Sequence, residues 1–149
     1  MSTRSSSSGG QKPEEQLSSS STSSSANPPS PSPSQRYKLI FYTPTSALER
    51  VKTAIFAAGG GTYAGEAYTS CSFESTGTGQ FLPIAERGAN PTIGKREPGE
   101  ENYRLERVYE VRCEIMCIGD ETTRGAVEAL KRTHPYEVPA YEVYRMEDF

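Results

Sequence analysis

From residue 37 onward the chain switches between two hydrophobic periods, and the switches mark its elements. YKLIFYT, residues 37–43, is a short aromatic and aliphatic run that ends against Pro44 and predicts a buried first strand. Leu48, Val51 and Ile55 then recur at helical spacing with Ala54 and Ala58 beside them. Pro44 stands at the first turn, Ser46 and Glu49 have capping-box spacing, and Gly59, Gly60 and Gly61 follow. A helix that stops at the triple glycine is expected. Three glycines in a row also suggest a phosphate-cradling loop, but such loops open a helix and these follow one.

Residues 66–74 alternate loosely around Tyr68, Cys71 and Phe73 and predict a second strand. Gly77-Thr78-Gly79 reads as a hairpin turn, with residues 80–84 returning as a short strand that Pro83 confines to an edge. Residues 85–101 hold Gly88, Gly94, Gly99, Pro91 and Pro98 and make a long irregular loop, a length that is commonly functional inside a compact domain.

Alternation resumes over residues 105–118, with Val111, Cys113, Ile115 and Cys117 on one face and Glu110, Arg112, Glu114 and Met116 on the other. The charged face is either a wet sheet face or the lining of a cleft or subunit interface, and the period does not choose between them. Asp120 is expected to cap a second helix to about Thr133, with Val127 and Leu130 inward, before Pro135 forces it to end. HPYE, residues 134–137, turns the chain, and residues 138–144 return as the last strand. This order, with right-handed crossovers and one shared apolar layer, predicts an α+β fold: a ferredoxin-like βαββαβ plait with an extra hairpin and a long loop.

Composition sets the first 36 residues apart. They hold fifteen serines and five prolines against three apolar residues, so they are expected to form a disordered tail, residues 1–36, ahead of one domain, residues 37–149. The net charge of −3 is spread as mixed signs, which argues against a nucleic-acid partner. No apolar run approaches a membrane span and the start lacks a secretory leader's apolar core, so a soluble, cytoplasmic domain without a membrane partner is expected. Three cysteines cannot all pair, and Cys113 and Cys117 fall on the buried parity, which suits a reducing compartment.

Five separated motifs carry a resemblance that extends over residues 37–146: CSF at residues 71–73, GTGQFLP at 77–83, GANPTIG at 88–94, the charged strand with Glu110 and Glu114, and HPYEVPAYEVY at 134–144. Together they resemble the insert domain of the Nif3-like family, dinuclear-metal proteins often labelled GTP cyclohydrolase type 2 homologues. The resemblance implies a PII/CutA-like plait, a fold that is typically trimeric. It departs from the family where the metals are concerned, because family members hold them with histidines and carboxylates of flanking domains and this chain has one histidine. A stand-alone version of the insert is therefore expected, without the hydrolase label.

Two candidate sites follow. Cys71, Glu110, Glu114 and His134 lie in the family-like motifs and form a ligand set for a divalent transition metal, shared between subunits in one version. The plainer alternative makes His134 a cap or turn residue and Cys71 a core residue. Gly77, Gly79, Gly88, Asn90 and Gly94, with Arg87, Lys95 and Arg96 as charge partners, are candidates for holding a small anionic ligand on backbone amides, by analogy with the ligand loops of PII-like proteins. No nucleophile with an oriented base stands out, and no catalytic residue is assigned. The expected function is a non-enzymatic, homotrimeric small-ligand or metal-binding module. The alternatives are a regulatory domain related to that of ATP phosphoribosyltransferase, a metal-dependent hydrolase-associated protein, or a purely structural oligomerisation domain.

Overall fold

A computed structural model of the chain describes residues 9–10, 34–63 and 65–149. The serine-rich tail lies almost entirely outside the described residues. Arg36, counted with that tail, is instead the first residue of strand β1 (Arg36–Thr43), and the Gln35 side-chain amide donates to the carbonyls of Arg36 and Met146.

After β1 come α1 (Thr45–Ala57), β2 (Phe73–Phe81), a single 3-10 turn (Ala85–Arg87), β3 (Glu106–Ile118), α2 (Asp120–Thr133) and β4 (Tyr141–Met146). The sheet order is β2-β3-β1-β4 and every neighbouring pair is antiparallel, the ferredoxin-like arrangement that the order of elements predicts. Register puts Leu39 opposite Ile115, Phe41 opposite Cys113 and Thr43 opposite Val111. Because side chains alternate across a strand, these residues and Cys117 share one sheet face, which meets Leu48, Val51 and Ile55 of α1 and Ala126 and Leu130 of α2 in the core. The alternation read from residues 105–118 is therefore the alternation of core and open face.

Three local readings change. No turn forms at Gly77–Gly79: β2 runs through it, pairing with β3 without interruption from Phe73 opposite Glu114 to Phe81 opposite Glu106. The two-strand reading of residues 66–84 thus becomes one edge strand, with residues 66–72 in bends before it, and β3 is the returning partner after a connection of residues 82–105. Helix α1 begins at Thr45, with Pro44 at the cap position and the Ala47 N–H donating to the Pro44 carbonyl at 2.9 Å. Proline's fixed φ sets the entry, and Ser46, already inside the helix, caps nothing. Helix α2 has Gly119 at its cap position, at φ 84°, in place of Asp120. Asp120 is the first helical residue and its carboxylate accepts from the Tyr37 hydroxyl at 2.6 Å, a bond that holds the phenol's proton and raises its pKa.

The triple glycine does end α1. The Gly59 N–H donates to the Phe56 carbonyl, Gly61 donates to the Met116 carbonyl at 2.7 Å, and the Gly61 carbonyl accepts from Cys71 N–H at 3.0 Å. Gly61 has φ 73°, and a Cβ there would stand 2.8 Å from both the Cys71 carbonyl oxygen and the Phe56 ring. Its backbone conformation and its space both require glycine.

Candidate functional site

At one end of the sheet, three stretches distant in the chain close around a cavity of about 400 Å³. Gly79, Phe81 and Pro83 enter from β2 and the start of the long connection, Ala89, Pro91 and Ile93 from the connection itself, and Tyr136, Val138 and Ala140 from the stretch before β4. Tyr42 and Glu110 form part of the floor. Four of the five motifs that carry the family resemblance therefore meet at this one place, all but CSF.

Specific hydrogen bonds hold the walls together. The Asn90 N–H donates to the Glu137 carboxylate at 3.0 Å, and the Thr92 hydroxyl donates to the Pro135 carbonyl at 2.8 Å. The Tyr103 hydroxyl donates to the Ala89 carbonyl at 2.8 Å. His134 ends α2, and its ring fastens the turn: Nδ1 accepts from the Tyr136 N–H at 3.1 Å, which leaves Nε2 as the donor to the Tyr42 carbonyl at 2.9 Å. The ring packs edge-on to that of Tyr136, with centroids 5.0 Å apart. Burial lowers the His134 pKa, against the opposing effect of its bond to Tyr42.

The expected metal set does not assemble. Among the described residues no group of three histidine, cysteine or acidic side chains is placed to hold an ion. Both His134 nitrogens are engaged with backbone, so the imidazole has no lone pair left for a metal. Glu114 is paired with Lys38 at 3.0 Å and with Arg112, and these hydrogen bonds lower its pKa. The Cys71 thiol points to the Thr69 carbonyl at 3.6 Å. Cys113 and Cys117 are buried, and burial pushes their thiols up to about 12 and about 11, so both stay protonated.

Of the residues expected to hold an anionic ligand, only Gly79 lines the cavity. Gly77 is exposed on β2 opposite Glu110, Gly88 ends the 3-10 turn at φ 79°, and Gly94 lies beneath the Glu106 side chain at φ 76°. Asn90 lies outside the lining and serves the wall only through its N–H bond to Glu137. Arg87 and Lys95 are exposed and outside the lining, and Arg96 is held over the Tyr103 ring with a bond to the Glu101 carbonyl. Among the described residues no lysine or arginine lines the cavity. Sequence reasoning missed Tyr42, Phe81 and Tyr136, although Phe81 and Tyr136 stand inside the quoted GTGQFLP and HPYEVPA motifs.

Most of the described chain is similar to known proteins. No protein-family model matches the chain. The GTP cyclohydrolase 1 type 2 homolog of Listeria monocytogenes is 39% identical over 110 residues, which cover 74% of this chain and 27% of the relative. The crystal structure of a Bacillus cereus protein related to NIF3 superposes with a TM-score of 0.60 and 32% identity, over 78% of this chain and 27% of that one. This is a Nif3-related domain. The chain spans about a quarter of the length of the curated relatives it matches. The periplasmic divalent cation tolerance protein CutA of Archaeoglobus fulgidus, at 13% identity and a TM-score of 0.50 over 76% of this chain and 86% of that one, shares the fold, and the plait of this Nif3-related domain is accordingly PII/CutA-like.

Proposed function

We propose that this domain is a non-enzymatic binding module that assembles as a homotrimer and takes up a small molecule in the cavity between β2, the long connection and the HPYE turn. The observation that carries the reading is the cavity itself. Its volume of about 400 Å³ falls within the ~300–1,000 Å³ range of small-molecule pockets, and its walls are largely apolar with a few convergent polar groups. The stitching of its three walls supports a site formed before the ligand arrives.

The non-enzymatic half rests on the state of the reactive groups. His134 is tied to backbone at both nitrogens, and two of the three thiols are buried and protonated, so neither supplies a base or nucleophile to the cavity. The cyclohydrolase name belongs to relatives of which this chain matches about a quarter, and it is not carried over. The homotrimer rests on the sheet, whose second face carries no helix and whose outer strands β2 and β4 each pair on one side only among the described residues.

Native mass spectrometry of the purified chain tests both halves. A mass of three chains with additional small-molecule mass is expected. A bare monomer at micromolar concentration overturns the assembly, and release of a ring-opened product from GTP by the pure chain overturns the non-enzymatic reading.

A further inference from the structure

The polar groups around the cavity fall into two classes. Some are committed to holding the walls: Thr92 to the Pro135 carbonyl, one oxygen of Glu137 to the Asn90 N–H, and both nitrogens of His134 to backbone. Two are not. Among the described residues the Glu110 carboxylate makes no hydrogen bond or ion pair, while Glu114, two places along the same strand face, is paired with Lys38 and Arg112. The Tyr136 hydroxyl is buried and has no hydrogen-bond partner.

These two groups belong together. Both line the cavity. Burial, and then the interaction of its hydroxyl with the nearby Glu110 carboxylate, push the Tyr136 phenol above its ordinary value, so the two groups face each other, although the hydroxyl has no partner at full hydrogen-bond geometry. Gly79 makes the arrangement possible, because the Glu110 carboxylate rests where a Cβ at residue 79 would stand. The remaining walls supply Phe81, Pro83, Pro91, Ile93 and Val138 and, among the described residues, no cationic side chain. An unpaired carboxylate in an apolar recess attracts a positive charge or a strong donor, because a partially desolvated charge is costly without one. An anionic ligand would meet Glu110 and Glu137 with no counter-charge, which reverses the sign expected from Arg87, Lys95 and Arg96.

Resting on the reading of this cavity as the binding site, we infer that its ligand is a small molecule with an apolar, ring-sized body and a protonated amine, with Glu110 as the counter-ion and the Tyr136 hydroxyl as the second polar contact. The carboxylate accepts from the ammonium, and the phenol accepts or donates to a polar atom beside it. The apolar body lies against Phe81, Ile93 and Val138.

A matched probe series separates charge from shape. Tryptamine, tryptophol and indole-3-acetate share a ring and differ in carrying an ammonium, a hydroxyl or a carboxylate. Each is titrated into the full chain at pH 7 and fixed ionic strength while the backbone amide signals of Gly79, Ala89, Ile93 and Val138 are followed by NMR. Tryptamine is expected to shift these amides with an affinity at least about tenfold tighter than indole-3-acetate, the worth of one charge-assisted hydrogen bond. Glu110→Gln is expected to abolish that preference, and Tyr136→Phe to weaken tryptamine several-fold without lowering the melting temperature, because the hydroxyl has no partner to lose. Equal or tighter binding of indole-3-acetate, or an unchanged tryptamine affinity in Glu110→Gln, overturns the charge assignment and leaves the cavity as a site. If none of the three probes moves these amides, the cavity reading falls and this inference falls with it.

Discussion

His134 is the residue in which composition, structure and pH dependence meet. It is the chain's only histidine, and the folded state holds it neutral, with its pKa below the ordinary value. Protonating Nδ1 would leave the Tyr136 N–H facing a second donor, so the folded state resists the proton while the unfolded chain accepts it near pH ~6.5. The His134 contribution to stability is therefore fully present above the unfolded pKa and is lost as pH falls through the window between the unfolded and the lower folded value. Glu114, also lowered, acts in the same direction but only in the carboxylate range further down. The melting temperature is expected to fall between pH 7.5 and 5.5 in the native chain and to change less over that window in His134→Asn. Equal slopes in the two proteins would show that the ring is not held neutral. Gly61 makes a second residue-scale case: at φ 73°, with Phe56 and the Cys71 carbonyl where a Cβ would go, Gly61→Ala is expected to cost about 1–3 kcal/mol in urea unfolding. A loss near zero would mean that the turn after α1 adjusts freely.

At the scale of elements, what was legible followed the periods. The buried parity of Val111, Cys113, Ile115 and Cys117 and the helical spacing of Leu48, Val51 and Ile55 gave β3 and α1 directly, because burial on one side imposes those periods. β2 was misread because its edge position removes that signal. Most of its residues are exposed, so nothing selects apolar alternation, and Gly77-Thr78-Gly79 imitates a turn. The cavity was legible only as motifs. Its walls come from stretches that are distant in the chain, and only the folded register brings Glu110 over Gly79. The continuity of β2 has a direct test. Gly77 has open space on its Cβ side and no left-handed φ, so Gly77→Thr places a strand-favouring residue in a strand and is expected to raise stability by roughly 0.5–1 kcal/mol. A loss of similar size would mean that residues 77–79 do form the turn that the glycines suggest.

For the whole molecule, the plait leaves unequal surfaces. One sheet face is covered by α1 and α2, and the other carries Phe73 at one edge and Tyr144 at the other, both more than half exposed, around the Lys38, Arg112 and Glu114 ion pairs. Those charged side chains lie over a sheet face on which Ile40 and Met116 are nevertheless buried, so this surface is apolar beneath and charged above. Such a face suits contact with other copies of the chain, where the apolar edges are covered and the charges keep wrong pairings apart. Because Phe73 opposes Glu114 across β2 and β3, a charge placed at residue 73 would stand on the face that the proposed assembly buries. Phe73→Asp is expected to convert the proposed homotrimer to monomer in sedimentation velocity while far-UV circular dichroism stays unchanged, since the side chain is exposed and contributes little to the core. The cavity gives this experiment a second readout, because its walls all come from one chain. Tryptamine binding that survives dissociation would place the whole site within a single copy, whereas binding lost together with the trimer would mean that a neighbouring copy completes it.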